Sequence, residues 1–267
     1  MTGTGTPWVT NQTKDGPAVL ADSEFGRFIS GGYYLVRPVK RPDSFSALLP
    51  ETLVTVSPCI GEVGPRCSWE SDWGRLTLEQ QKTDATECGV PAEELPELLN
   101  SINNIVERTT LPQGLQTCQE PPQVMPFGFS SFVIASAFYE QFAPPTLLLG
   151  IGLHASLVPL LNEQRRRDIN NGYGLIERIG QRQTLRPGQV LGFEPLGFEA
   201  MSFHSWICNY FPESVDKELR IKPAANGFIS DFADALEVTE HIRNAGGEPA
   251  IWLPWLIVQY GLGSRDV

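Results

Sequence analysis

The sequence predicts an α+β fold: a single domain built on a mixed or mostly antiparallel sheet with helices packed against it. Three observations lead there. Strand-like and helix-like segments alternate without a regular βα period, and no repeat of domain size is present. Twenty-two prolines and twenty-five glycines among 267 residues demand many turns and short elements, which argues against a long-helix bundle. An apolar fraction of 41% with 19% charged residues is the composition of a chain that buries a full core.

Taken in order, residues 1–25 are rich in Thr, Gly and Pro and are expected to form a loose arm, with the domain running over 26–267. "GGYYLVRPV" (31–39) reads as a strand opened by glycines and closed by Pro38. "TLVTVSPCI" (52–60) alternates with period two and reads as a second strand. A turn-rich loop holding Trp69 and Trp73 follows. "PAEELPELLNSINNIVERTT" (91–110) has Leu95, Leu98, Leu99, Ile102, Ile105 and Val106 at helical spacing, with Glu93, Glu94 and Glu97 where the helix dipole favours acids. "FGFSSFVIASAFYEQF" and "TLLLGIGLHASLVPLL" are expected to supply the deepest strand and its packing helix.

In "VLGFEPLGFE" (190–199) the doubled step reads as strand, and Pro195 points to an edge strand, a bulge or two short pieces. "ISDFADALEVTEHIRNAGG" is the clearest helix. Ser230 is its expected cap; Phe232, Ala235, Leu236, Thr239 and Ile242 form its inner face; Gly246 suits a left-handed stop. "EPAIWLPWLIVQY" closes the chain as a strand interrupted at Pro254.

A formal charge of −11 and a pI near 4.8 argue against nucleic-acid binding, which needs a basic stripe to displace counterions. The tight basic run Arg165–Arg167 sits beside Glu163 and Asp168 and reads as a solvated helix end. The uncharged stretch "PPTLLLGIGLHASLVPLL" approaches the length of a membrane span, but its prolines, its glycines and His154 favour a buried strand and core helix. No membrane partner is expected. The start "MTGTGTPWVTNQTKDGPAV" lacks a basic segment followed by an apolar run, so it is not read as a signal peptide. Cys59, Cys67, Cys88, Cys118 and Cys208 lack zinc-knuckle spacing and read as reduced thiols. A cytoplasmic location is the expectation.

Recognisable chemistry is sparse. The glycine fragments "TGTG" and "GIG" lack Walker or dinucleotide spacing, and no GxSxG elbow occurs. No metal site and no cofactor are expected, since the three histidines carry no HExxH or paired CxxC pattern. The strongest catalytic candidate is His204 with Cys208 in "FHSWICN". On a helix, four-residue spacing would bring imidazole and thiol together as base and nucleophile, with Asn209 to orient the ring. Phe203, Trp206, Ile207 and Phe211 favour the other reading, a packed core helix in which Cys208 is a small hydrophobe.

Acidic bias offers a different function. Residues 193–248 hold ten acids against Lys217, Arg220, Lys222 and Arg243, and residues 62–97 hold nine against Arg66, Arg75 and Lys82. Glu194, Glu199, Glu213 and Asp216, with Trp206, Trp69 and Trp73 as aromatic anchors, are the expected contacts for a basic protein partner. The order "VLGFEPLGFE…FHSWICN…AANGFI…EPAIWLPWLIVQY", covering roughly the last 80 residues, resembles bacterial immunity-type proteins of polymorphic toxin systems. That resemblance implies a non-catalytic, cytosolic inhibitor that covers the active site of a cognate toxin. An enzyme using Cys208 and His204, and a structural or assembly subunit, are the alternatives.

Overall fold

Ile251 to Val258 are eight consecutive buried residues, and they run through the middle of a five-stranded sheet. The computed structural model describes residues 22–57, 60, 79, 96, 132–139, 146–167, 179–180, 182–199, 202–208, 211–246 and 250–261. The strands are β1 (Phe28–Val36), β2 (Val39–Lys40), β3 (Thr52–Leu53), β4 (Leu147–His154), β5 (Gln189–Glu199), β6 (Ser202–Ser205) and β7 (Ile251–Tyr260). The helices are α1 (Asp22–Phe25), α2 (Phe132–Tyr139), α3 (Val158–Arg167), α4 (Phe211–Leu219) and α5 (Phe232–Asn244). The main sheet has the order β1-β4-β7-β5-β6 with every pairing antiparallel, and β2 with β3 forms a small separate ribbon. The expected α+β class is the one observed.

Cross-strand partners lie on the same side of a sheet, so the register sorts the side chains into two faces. One face carries Phe28, Tyr33, Phe193, Trp252 and Tyr260; the other carries Tyr34, Glu194, Phe198, Phe203 and Trp255. Helices cover the first. Phe232 of α5 meets Phe193 at 5.4 Å between ring centroids, and Phe132 of α2 meets Tyr260 at 4.8 Å. Phe211 of α4 stands edge-on to Trp252 at 6.2 Å. On the second face Phe203 packs against Phe198 at 5.0 Å and Trp255 at 5.6 Å. Because both faces are dry, the strands read as continuous apolar runs rather than alternating ones.

The prolines correct two sequence expectations. Strand β5 is neither an edge nor broken at Pro195, and β7 is not interrupted at Pro254: the two prolines face each other in the ladder. Pro195 turns its backbone toward β6, where its carbonyl accepts the Trp206 N–H at 3.1 Å, so no amide is missed between the strands. The bulge in β5 lies instead at Val190/Gly192, where Gly192 has φ +136° and an added Cβ would stand 2.8 Å from the Ile229 carbonyl oxygen. That close approach lets Ile229 exchange two backbone hydrogen bonds with Phe193.

Other expectations shift by smaller amounts. Within the expected 1–25 arm, Asp22–Phe25 form α1, and Phe25 is buried in the core. Among the described residues of 52–60 the strand is Thr52–Leu53; beyond it the Thr55 side chain takes the Ser57 N–H, and the chain turns inward rather than continuing a ladder. Helix α5 is capped by Asp231, not Ser230: its carboxylate accepts the Ala233 and Asp234 amides at 2.7 and 3.3 Å. Its inner face is Phe232, Ala235, Val238, Thr239 and Ile242, with Leu236 only half-buried. Gly246 does adopt the left-handed stop, at φ +71°. The helix expected at 91–110, apart from Pro96, and the loop carrying Trp69 and Trp73 lie outside the described residues.

Candidate functional site: a buried carboxylate beneath an acidic helical layer

The doubled "LGFE" repeats after five residues. Since five is odd, the two copies face opposite ways along one strand, with Phe193 on the helix-covered face and Phe198 on the other. Glu194 therefore points into the second face, opposite Trp255 in the ladder and one step diagonal from Ser205 of β6. It is 1% exposed. Its Oε1 accepts hydroxyl hydrogen bonds from Ser205 at 2.6 Å and Thr55 at 2.7 Å, while Oε2 is enclosed without a hydrogen-bond partner. Burial disfavours the charged form, and the two hydroxyls offset it only in part, so the pKa is pushed up to about 7.

The two hydroxyls extend the cluster. Thr55 Oγ1 also accepts the Ser57 N–H at 3.0 Å, and Ser205 Oγ accepts the Ile207 N–H at 3.2 Å. Ser57 Oγ lies 3.4 Å from the Cys208 thiol. A carboxyl, three hydroxyls and a thiol thus form one polar group inside an aromatic wall. Sequence reasoning missed Thr55, Ser57 and Ser205. Hydroxyl residues two apart in "TVS" were visible, but a strand reading left them no role.

The remaining candidates fall as follows. Glu194 and Trp206, expected as partner contacts, are both buried in the core, Trp206 at 0% exposure. Trp252 and Trp255 are buried as well. His204 lies on β6 and Cys208 in the turn beyond it, so the one-turn helical spacing that would have paired them is absent. Strand alternation sends His204 to the face opposite Ser205. Glu213 is exposed on α4, and Asp216 stands 3.7 Å from Lys222. The side chain of Glu199, with Trp69 and Trp73, lies outside the described residues.

Above the first face, α4 and α5 pack together and turn carboxylates outward. Each helix carries three carboxylates against one cation, Lys217 in α4 and Arg243 in α5, a net −2 apiece with histidine neutral. Glu213, Glu218, Asp234, Glu237 and Glu240 are exposed. The Asp234 carboxyl is held above its ordinary value, first by partial burial and then by the charges of Asp231 and Glu237. Between the helices, His241 Nε2 lies 3.3 Å from Ser214 Oγ and Nδ1 lies 3.8 Å from Glu218 Oε2. This looks like a nucleophile–base–acid series but is built as a clamp. The Ser214 hydroxyl donates to the Phe211 carbonyl at 2.9 Å, so it meets the imidazole as an acceptor.

Among the described residues, no three His, Cys, Asp or Glu side chains gather so as to hold a metal ion, and no helix is long and apolar enough to cross a membrane. The uncharged stretch that approached the length of a span is spent on β4 and the start of α3. Compared with known proteins, the chain matches no family model, and no curated protein or solved structure is significantly similar to it.

Proposed function

We propose that this chain is an acidic binding protein that docks a basic protein partner on the outer face of α4 and α5, in the manner of an immunity protein covering a cytoplasmic toxin domain. The observation that carries the reading is the exposed carboxylate surplus on two packed helices, Glu213, Glu218, Asp234, Glu237 and Glu240, above a largely apolar seat. Like charges held this close raise the local potential, and a cationic surface relieves it while being steered in. With Trp206, Trp252 and Trp255 all interior, specificity on this face rests on charge geometry rather than on a tryptophan anchor.

The test is retention of proteins from host lysate on the immobilised chain at low and moderate salt, repeated with Glu213→Lys and with Glu237→Lys/Glu240→Lys. A basic partner that binds the natural chain, weakens with salt and is lost from the reversed surfaces supports the reading. A partner held equally by natural and reversed chains places the interface elsewhere. No retained partner at either salt concentration removes the inhibitor reading.

A further inference from the structure

We propose that Glu194 is a proton-operated latch: with its proton it holds the Thr52–Ser57 segment against β5 and β6, and on losing it loosens that segment and exposes the half-buried Cys208 further to solvent. The inference is independent of the docking reading, because it concerns the opposite face of the sheet.

The geometry supplies each part of the device. Neutral Glu194 leaves a single unmet hydroxyl at Oε2, whereas the ionised form leaves a charge in an aromatic wall with only two hydroxyl donors, a costlier state. The groups facing it are Thr55 from the 52–57 segment, Ser205 from β6 and Trp255 from β7; Ser57 and the Cys208 thiol lie beyond Thr55 in the same cluster. Among the described residues no charged side chain contributes to the position of its pKa, which burial alone drives upward to about 7. Water is therefore the available source of further donors, and the element that must lift to admit it is the one whose hydroxyl closes on the carboxyl. That element is the irregular 52–57 segment: it pairs with β2 over two residues, is tied to the main sheet by the hydrogen bond from Thr55, and buries Leu53 and Val56, whose burial opposes the loosening. Ser57 travels with it, and its hydroxyl lies 3.4 Å from the half-buried Cys208 thiol.

The experiment is the pH dependence of Cys208 modification in the full natural chain, read as the maleimide-labelling rate of the Cys208 peptide by mass spectrometry from pH 5 to 9. A thiol in a fixed environment gains about tenfold per pH unit below its own pKa, because the thiolate is the reactive form. Opening linked to a second ionisation adds its own pH dependence, so the natural chain is expected to climb up to roughly a hundredfold per unit below pH 7 and to ease to roughly tenfold above it. Glu194→Gln is expected to keep about the tenfold slope throughout. Amide exchange at Ser57 and Ile207, whose N–H groups are held by Thr55 and Ser205, should speed up over the same interval in the natural chain only, after correction for intrinsic exchange. A natural chain whose Cys208 gains about tenfold per unit or less across the whole range overturns the latch. So does a Glu194→Gln chain that reproduces the steep climb. Should that variant fail to fold, the natural chain's slope and its amide exchange decide alone.

Discussion

The two faces of the sheet are equally dry and differently made. On the first, α2, α4 and α5 press Phe132, Phe211 and Phe232 onto Tyr260, Trp252 and Phe193, so aromatic carbon meets aromatic carbon. On the second, Phe198, Phe203 and Trp255 make a similar wall, but Glu194 is set into it and an irregular segment closes over the carboxyl. The first face draws its stability mainly from area removed from water, a term that pH does not touch. Its edge histidine, His154 beside Phe28 and Phe232, is kept neutral by burial, so it weakens the face only on acidification. Part of the second face's stability is conditional on a carboxyl proton that is lost as pH rises. One sheet therefore holds a side that is constant toward neutral and alkaline pH and a side that titrates there.

The largest expected effect tests the constant side. Trp252 is fully buried against Phe211 and lies over Gly197, where an added Cβ would meet the indole at 2.7 Å. Trp252→Ala should cost about 3–5 kcal/mol, since nothing nearby can collapse into the space of an indole. The loss, measured by chemical denaturation, should be the same at pH 5 and pH 8. A cost that changes strongly between those values would erase the distinction between the faces.

The second prediction tests the titratable side. A carboxyl whose folded-state pKa of about 7 exceeds its ordinary 4.5 holds its proton more tightly when folded. Its contribution is fully present below about pH 4.5, is lost as pH rises toward about 7 and is level above that. The shift corresponds to about 3 kcal/mol. Glu194→Gln should lack that loss, so the stability of the variant relative to the natural chain should improve by about 3 kcal/mol between pH 4.5 and 8 and then stay constant. A difference between the two chains that does not vary with pH would show that Glu194 keeps one protonation state throughout.

How far the sequence foretold these faces depends on whether a signal is local. Strands β1, β4, β5 and β7 were legible because glycines and prolines bound runs of branched and aromatic residues, and α5 because its apolar residues recur at helical spacing. The face of α5 was read correctly except that Val238 takes the place given to Leu236. What failed was decided across the ladder. Pro195 and Pro254 each look like a break until the register sets them opposite one another. Glu194 resembles any surface acid of a negatively charged chain until its position on β5 and the distant Thr55 enclose it. The "FHSWICN" segment contains residues suited to a helix, yet β5 recruits its first part as β6, and propensity yields to pairing. The acidic character of α4 and α5 was legible, being a property of composition; the burial of Trp206 was legible only in the core reading of its segment, and that of Trp252 and Trp255 was not.

The smallest effect concerns the end of the helix that seals the constant face. Phe232, which packs on Phe193 and Phe28, is the first residue of α5, so its placement depends on the turn that Asp231 holds. Asp231 accepts two otherwise unpaired amides there and brings negative charge to the positive end of the helix. Asp231→Ala should cost about 1 kcal/mol, and Ser230→Ala within about 0.5 kcal/mol of nothing, although the sequence favours Ser230 as the cap. The loss at Asp231 has an opposing component, since removing its charge also lowers the repulsion felt by Asp234. Raising the salt concentration should therefore leave the hydrogen-bonding part of the cost in place while the charge contributions shrink. Equal costs at 230 and 231 would mean that the start of α5 is held by the packing of Phe232 alone.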